Sequence, residues 1–225
     1  MRLEAGNIHY RYSKDSEWIL KNVSLAVEIG ERVALTGPSG CGKSTLSKIL
    51  AGYLTPSSGE VLWSGKPPPQ KGYCPVQMIY QHPELSVNPR WKMSRILNEY
   101  WSPGAGLLKA MGIENEWMSR WPGELSAGEL QRFCIARVLA PETKFLICDE
   151  ISAMLDVITQ AQIWRLLLEM CVKNTLGMIV ITHNMALAEK VCDRIIRLPE
   201  LNQSGDGDSD NQNKISVPNR YCKYY

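Results

Sequence analysis

The stretch GPSGCGKST, Gly37 to Thr45, has the composition of a loop that binds phosphate. Its spacing is Gly-x-x-x-x-Gly-Lys-Ser, in which the glycines let successive backbone N–H groups turn toward an anion. Lys43 adds a positive charge for the outer phosphate oxygens, and Ser44 adds a hydroxyl that can bind Mg²⁺. The sequence therefore predicts a nucleotide site that comprises Gly37, Ser39, Gly40, Cys41, Gly42, Lys43, Ser44 and Thr45.

A pair of carboxylates ends the apolar run FLICDE. Asp149 follows a predicted buried strand, and the carboxyl ends of strands are where open α/β sheets bind ligands. Asp149 can hold Mg²⁺ through water, and Glu150 can polarise an attacking water. A solvated turn is the alternative for any Asp-Glu pair, but the buried strand before this pair favours a functional site.

Length and composition limit the classes of protein to which the chain can belong. Its 225 residues suit one domain, or one domain with a subdomain, and a net charge of +2 gives no reason to expect a nucleic acid partner. The sequence has no apolar run of about 20 residues, and residues 1–18 lack the apolar region of a signal peptide. The seven cysteines are scattered without a CxxC pair, which predicts reduced thiols in the cytosol.

The elements that must position these residues alternate between strand and helix, which predicts a parallel sheet covered on both faces. The middle of the chain, at about residues 84–140, has the spacing of a mostly helical insert. Strands are predicted at 9–12, 23–27, 31–36, 60–63, 144–148, 178–182 and 194–198, and helices at 44–51, 158–170 and 185–192.

A second stretch, ELSAGELQR from Glu124 to Arg132, resembles the signature motif of ATP-binding cassette (ABC) ATPases. Gln81 in MIYQHPE is similar to the glutamine of that family's Q-loop. SAMLD, Ser152 to Asp156, is similar to its D-loop, and His183 in IVITHN to its switch histidine. Tyr12 stands where the family has an aromatic residue that stacks on adenine. All of these motifs follow the order of the family.

The resemblance covers about residues 2 to 198 and implies a fold. That fold is an α/β P-loop NTPase core with a mostly parallel sheet, an N-terminal antiparallel β subdomain and a helical subdomain inserted at about 84–140. Residues 1–198 would form the ATP-binding domain. Residues 199–225 contain the acidic stretch NQSGDGDSDNQN and are predicted to be disordered.

The resemblance also implies roles for single residues. Two such domains would pack head to tail, with Ser126 and Gly128 of one chain contacting the γ-phosphate of ATP held by the other, and Asp156 reaching across the dimer. Glu150 would orient the water, and His183 would contact the γ-phosphate. The implied catalytic set is Lys43, Gln81, Glu150 and His183, and the implied Mg²⁺ ligands are Ser44, Gln81 and Asp149.

Three positions depart from the pattern of the family. The signature has Ala127 where a second glycine is usual, Met154 occupies an unusual place in the D-loop, and Asn184 replaces the acid that commonly follows the switch histidine. The family tolerates small residues at the first of these positions. We expect an active ATPase and little effect of Asn184.

The implied function is the ATP-hydrolysing subunit of an ABC transporter, with ATP and Mg²⁺ as cofactors. Residues 80–97 resemble the Q-loop continuation of oligopeptide, dipeptide and nickel importers, and LDVITQAQIW resembles another stretch of the same subfamily. Imported peptides, nickel or a chelated metal are thus the expected cargo. The partners would be a second ABC ATPase chain, membrane permeases near residues 81–101 and, indirectly, an extracytoplasmic binding protein, which places the chain at the cytoplasmic face of the membrane.

Other functions remain open for the same motifs. The ATPase of a soluble multi-enzyme complex, such as one that breaks down phosphonates, would carry similar motifs. A soluble ABC ATPase acting on nucleic acid or a ribosome usually has two cassettes or a long coiled-coil insert, which this chain lacks. A cassette that only binds nucleotide is disfavoured by the presence of Lys43, Asp149, Glu150 and His183.

Overall fold

The computed structural model describes residues 1–69, 71–151 and 155–202. Contacts divide the chain into two compact units. The phosphate-loop unit comprises Met1–Pro68 and the chain from Gly177 onward, and the signature unit comprises Pro69–Leu176. In the described part of the chain, none of the helices has the length and apolar character needed to cross a membrane.

An antiparallel sheet of three strands begins the phosphate-loop unit. Strand β1 (Arg2–Tyr10) lies between β2 (Leu20–Glu28) and β4 (Ser58–Trp63). The side chains of Leu3 and Ala5 are buried, and so are those of Ile8 and Tyr10 after a register shift. This shift is a β-bulge, which moves the buried positions from odd to even numbers along the strand.

The same unit contains three parallel strands. Strand β3 (Arg32–Thr36) pairs with both β7 (Gly177–Ile181) and β8 (Arg194–Arg197). Every residue of β7 is buried, as expected of a strand covered on both faces. The helices of this unit are α1 (Lys43–Leu50), α6 (Met185–Val191) and the short α7 (Leu198–Leu201).

The signature unit pairs strand β5 (Val76–Ile79) in parallel with β6 (Phe145–Asp149). Its helices are α2 (Met93–Leu97), α3 (Ala105–Ala110), α4 (Ala127–Val138) and α5 (Val157–Asn174). Short 3-10 turns lie at Pro83–Ser86, Asn115–Ser119 and Pro122–Glu124. Phe133 of α4 is fully buried and lies 6.5 Å, between ring centroids, from the buried Trp117.

The predicted fold class, with an antiparallel N-terminal sheet and parallel strands, is confirmed. The first strand was predicted at His9–Tyr12, which is wrong, because it runs from Arg2 to Tyr10 and Tyr12 lies beyond it. Strand β5 was not predicted. The domain boundaries stay a prediction. Of the predicted tail, residues 199–201 belong to α7, and the residues after 202 lie outside those that the structure describes.

Candidate functional site

The phosphate loop leaves β3 at Gly37 and enters α1 after Gly42, and both glycines have a positive φ, of 147° and 102°. A Cβ atom on Gly42 would lie only 2.8 Å from Leu20 Cδ2, and one on Gly37 only 2.9 Å from Cys41 Sγ. Real Cβ atoms do not approach other atoms so closely. The two ends of the loop therefore need glycine for two separate reasons, backbone conformation and space.

Lys43 is folded back over this loop. Its ammonium donates to the carbonyls of Gly37 (2.8 Å) and Pro38 (2.9 Å), and the residue is only 5% exposed. A buried ammonium needs such partners, because an unpaired buried charge is costly. The side chain of the next residue, Ser44, is exposed and can meet a ligand.

Tyr12 lies beyond the end of β1 and its side chain is 64% exposed. Its hydroxyl lies 3.5 Å from Thr45 Oγ1 of α1, and its ring meets the Tyr10 ring edge to face at 5.2 Å. The ring is thus held next to the start of α1 with much of its surface open. An exposed aromatic ring beside a phosphate loop can accept a stacked base.

His183 follows β7 and is exposed. The next residue, Asn184, caps α6: its Oδ1 accepts from the Leu187 N–H at 3.1 Å, and its own N–H donates to Thr182 Oγ1 at 3.0 Å. Asparagine is among the best residues for this position. The sequence shows that asparagine replaces the acid that is common at position 184. The structure shows that this asparagine caps α6.

In the signature unit, the ends of β5 and β6 bring Gln81, Asp149 and Glu150 to one edge. The pairing of Ile79 with Cys148 is the last of the parallel register, so the residues that follow both strands leave the sheet side by side. All three side chains are partly exposed. Glu150 has φ of 49°, a conformation that costs a residue with a side chain about 1–3 kcal/mol and is found preferentially at functional sites.

Gln131 connects helix α4 with the chain that leads to Gln81. Its Nε2 donates to the Tyr80 carbonyl at 3.4 Å, and the residue is only 2% exposed. Sequence reasoning did not identify Gln131 as a candidate. Its position in an amphipathic helix gives no sign that its carboxamide meets the residue directly before Gln81.

The signature residues form the N-terminus of α4. Ser126 Oγ accepts from the Glu129 N–H (3.3 Å), and a Glu129 carboxylate oxygen accepts from the Ser126 N–H (2.7 Å). This reciprocal arrangement is a capping box, and the Ser-x-x-Glu spacing could have revealed it in the sequence. Ala127 is exposed, and a Cβ atom on Gly128 would lie 3.4 Å from Leu155 Cδ2.

Asp156 caps helix α5. Its Oδ1 accepts from the N–H groups of Ile158 and Thr159, both at 3.0 Å, and bonds from the Thr159 side chain and backbone hold the pKa of this exposed carboxyl below its usual value. An open cleft of about 600 Å³ has Ser126, Gly128 and Asp156 in its walls. The structure therefore brings Ser126 and Gly128 of the predicted signature together with Asp156 of the predicted D-loop within the signature unit, and residues 152–154 of that loop lie outside the described residues.

Comparisons with known proteins bear on this arrangement. The family model described as ABC transporter matches residues 20–153. The nickel import ATP-binding protein NikE of Escherichia coli O6:K15:H31 is 37% identical over 197 residues, which cover 79% of this chain and 74% of that protein. The structure of CbiO1 from Clostridium perfringens, part of the ABC transporter complex CbiONQ, has a TM-score of 0.71 and 27% identity, covering 87% of this chain and 83% of that one.

A dimeric ATP-binding cassette, MJ0796 bound to ADP and phosphate, has the same fold, with a TM-score of 0.71 at 24% identity over 87% of this chain and 93% of that chain. Together with the phosphate loop, these similarities define an ABC-type ATPase. The chain belongs to the ABC transporter family. It is the ATP-binding subunit of such a transporter, and its activity is ATP hydrolysis coupled to transport.

Proposed function

We propose that this chain drives the import of nickel, as the ion or in a chelated form. The observation that carries the proposal is the similarity to nickel import ATP-binding proteins, at 37% identity over 79% of the chain. The stretches after Gln81 and Asp156 that resemble peptide and nickel importers agree with it. Peptides are the alternative cargo, because the same resemblance covers peptide importers.

ATP is held at the phosphate loop of the phosphate-loop unit. The positive φ that glycine permits at Gly37 and Gly42 lets successive backbone N–H groups of the loop turn toward phosphate, and the N-terminus of α1 adds its partial positive charge. Lys43 exchanges its two carbonyl partners for β and γ oxygens of the nucleotide. The Tyr12 ring stacks on adenine from its exposed side.

Mg²⁺ suits the donors that the sequence assigns to it. Ser44, Gln81 and Asp149 offer a hydroxyl, an amide carbonyl and a carboxylate, all of them oxygen ligands of the kind that Mg²⁺ prefers. Gln81 and Asp149 leave neighbouring parallel strands at one edge, as a shared ion requires. When bound, the ion neutralises charge that develops on the phosphate oxygens.

Glu150 orients and polarises the attacking water, and His183 contacts the γ-phosphate. Glu150 directly follows β6, in which Phe145–Cys148 are buried, and its positive φ breaks the extended backbone of that strand. The exposed position of His183 after β7 leaves its ring accessible to a nucleotide. Both roles are those of water positioning and charge stabilisation in phosphoryl transfer.

A second ABC ATPase chain completes the site. Ser126 and Gly128 line the cleft that would receive the γ-phosphate of the partner's ATP, and Asp156 lies in the wall of the same cleft. Both copies of the site are equivalent if the two chains are identical, because a two-fold axis relates them. If the second chain is a paralogue, the two sites differ.

The membrane permease docks near residues 81–101. Leu85, which is 79% exposed, and Tyr100, which is 51% exposed, offer apolar side chains there for contact with a partner. The segment is tied to helix α4, because the Arg137 guanidinium donates to the Ser86 carbonyl at 3.0 Å and the Cys134 sulfur lies 3.3 Å from Ser86 Oγ. A shift of the segment imposed by the permease would thus reach the signature residues at the start of α4.

Affinity purification of the tagged chain from gently solubilised membranes tests the proposal. We expect two polytopic membrane proteins and a second ABC ATPase to be recovered, and a strain without this chain to lose uptake of radioactive nickel. Uptake should return with the wild-type chain and not with Glu150→Gln. Recovery of a soluble enzyme complex without membrane subunits would contradict a role in transport. If the strain without this chain takes up nickel normally but has lost peptide uptake, the cargo is peptide and not nickel.

A further inference from the structure

Strand β2 forms one edge of the antiparallel sheet, and Asn202 covers the beginning of that edge. The Asn202 Nδ2 donates to the Ile19 carbonyl at 2.9 Å, while its Oδ1 accepts from the Lys21 N–H at 2.6 Å. The Ile19 N–H in turn donates to the Tyr10 carbonyl of β1 at 2.9 Å. One carboxamide thus fixes the backbone on both sides of Leu20, where β2 begins.

The segment held by Asn202 packs against the phosphate loop through the side chains of Ile19 and Leu20. A Cβ atom on Gly42 would lie 2.8 Å from Leu20 Cδ2 and 3.0 Å from Ile19 Cγ2. Gly42 is the N-cap of α1 and has a positive φ. The position of residues 19 and 20 therefore sets the space available to the N-terminus of the helix that faces the phosphates.

Helix α7 ends at Leu201, directly before Asn202, and it meets the other end of the phosphate loop. A Cβ atom on Gly37 would lie 2.9 Å from Pro199 Cδ. Leu198, the first residue of α7, is fully buried and anchors the helix. Helix α7 and the residue after it thus contact one end of the phosphate loop directly and the other end through residues 19 and 20.

We propose that Asn202 is a positioning residue for the phosphate loop. A loop rich in glycine has many accessible backbone conformations, so its binding conformation is populated only if its surroundings restrict it. When a binding-competent state becomes less populated, the apparent Kd rises by the inverse of that fraction. Asn202 acts through residues 19 to 21 and does not itself contact the nucleotide. The inference rests on the proposed binding of ATP by this loop.

Replacement of Asn202 in the full chain tests the proposal. We expect Asn202→Ala to raise the Kd for a fluorescent ATP analogue about fivefold, through the lower population of the competent loop. Asn202→Asp has the same size but cannot donate to the Ile19 carbonyl, so it should raise the Kd by a similar factor. The ATPase kcat at saturating ATP should stay within about twofold of the wild-type value in both variants, because bound ATP restores the loop.

Ser24→Ala is the matched control on the same strand. Ser24 Oγ accepts from the Asn7 N–H (2.9 Å) and lies 3.3 Å from Asn7 Oδ1, so this variant also loses two bonds of β2 without touching the phosphate loop. We expect it to lower the thermal unfolding temperature and to leave the Kd unchanged. A Kd for both Asn202 variants equal to that of Ser24→Ala would overturn the proposal.

Lys43→Ala separates this inference from the function on which it rests. If Lys43→Ala abolishes binding of the analogue while the Asn202 variants bind normally, only the positioning role is wrong. If Lys43→Ala binds as the wild type does, the proposed phosphate site itself is wrong. If Asn202→Ala does not fold, Asn202→Asp keeps the side-chain volume and gives the same comparison.

Discussion

Two helix N-termini in this chain are assigned to phosphate, and they differ in construction. Among the described residues, α1 begins at Gly42 without a side-chain cap or an acidic residue in its first turn. Helix α4 begins at Ser126 with a complete capping box, which places the Glu129 carboxylate on the Ser126 N–H. The first terminus is open to an external anion, whereas the second already carries one of its own.

This difference indicates a division of labour between the two termini. At α1, the partial charge of the helix and the Lys43 ammonium both act on a bound anion, so this end can supply most of the affinity for ATP. At α4, the Glu129 carboxylate already neutralises part of the positive charge of the helix N-terminus. A phosphate that approaches Ser126 and Gly128 would therefore be repelled by this neighbouring negative charge. We infer that α4 adds contacts that depend on an approaching partner rather than primary affinity.

The largest effect is expected at the open terminus. Lys43→Ala removes the only side-chain cation that the prediction places in the loop and should raise the Kd for ATP at least about hundredfold, equivalent to about 2.7 kcal/mol. Equilibrium titration with a fluorescent ATP analogue measures this change. Lys48→Ala, on the same helix but partly exposed and outside the loop, is the control and should bind normally. If Lys43→Ala and Lys48→Ala bind the ATP analogue with equal affinity, α1 does not supply most of the affinity for ATP.

A large effect of comparable size is expected on turnover rather than binding. Glu150→Gln keeps the side-chain volume but removes the carboxylate that polarises water, so kcat should fall at least about hundredfold, or about 2.7 kcal/mol of barrier. ATP should still bind and hold two chains together, which size-exclusion chromatography can detect. Turnover close to that of the wild type would exclude Glu150 as the residue that polarises the attacking water.

A pair of glycine variants separates space from backbone conformation at the open terminus. Gly40 and Gly42 both have positive φ, but a Cβ would meet nothing within 4 Å at Gly40 and Leu20 at 2.8 Å at Gly42. Gly40→Ala should cost about 1 kcal/mol of stability from backbone strain alone. Gly42→Ala should cost about 3 kcal/mol because overpacking is added. Denaturant unfolding measures both values, and equal losses would mean that the clash at Gly42 is relieved by movement of residues 19 and 20.

The capped terminus gives a smaller effect. Ser126→Ala removes the Oγ acceptor of the capping box and should lower the free energy of unfolding by about 1 kcal/mol. Glu129→Gln keeps an oxygen that can accept from the Ser126 N–H, so it should lower the free energy of unfolding less than Ser126→Ala does. Because it removes the negative charge, it should strengthen ATP-dependent dimerisation. Weaker dimerisation of Glu129→Gln would contradict the account of α4 as a terminus that carries its own anion.

The smallest effect is expected from Ala127→Gly. The Ala127 side chain is exposed at the start of α4, and its removal lets a phosphate approach the backbone more closely. ATPase activity should be equal or modestly higher, measured as phosphate release by the assembled transporter. A large loss would show that the surroundings of α4 have become adapted to the methyl group.

The sequence predicted much of the candidate site because its motifs are local. The loop from Gly37 to Thr45 carries its own conformational requirements, and the buried strands before it and before Asp149 are continuous apolar runs. Strand β1 was predicted too short because the bulge after Ala5 breaks the alternation on which the prediction depends. Strand β5, with only four residues next to Pro75, gave too short a pattern to be recognised.

By itself, the sequence determined the chemistry of the phosphate site, the order of the motifs and the class of fold, because each depends on residue types at short and fixed spacings. Only the tertiary structure decided which distant residues support them. Gln131 meets the residue before Gln81, and Asn202 meets residues 19 and 21, across 51 positions and more than 180 positions of sequence. A hydrogen bond between such positions depends on the path of the folded chain, and no local pattern of residues encodes that path.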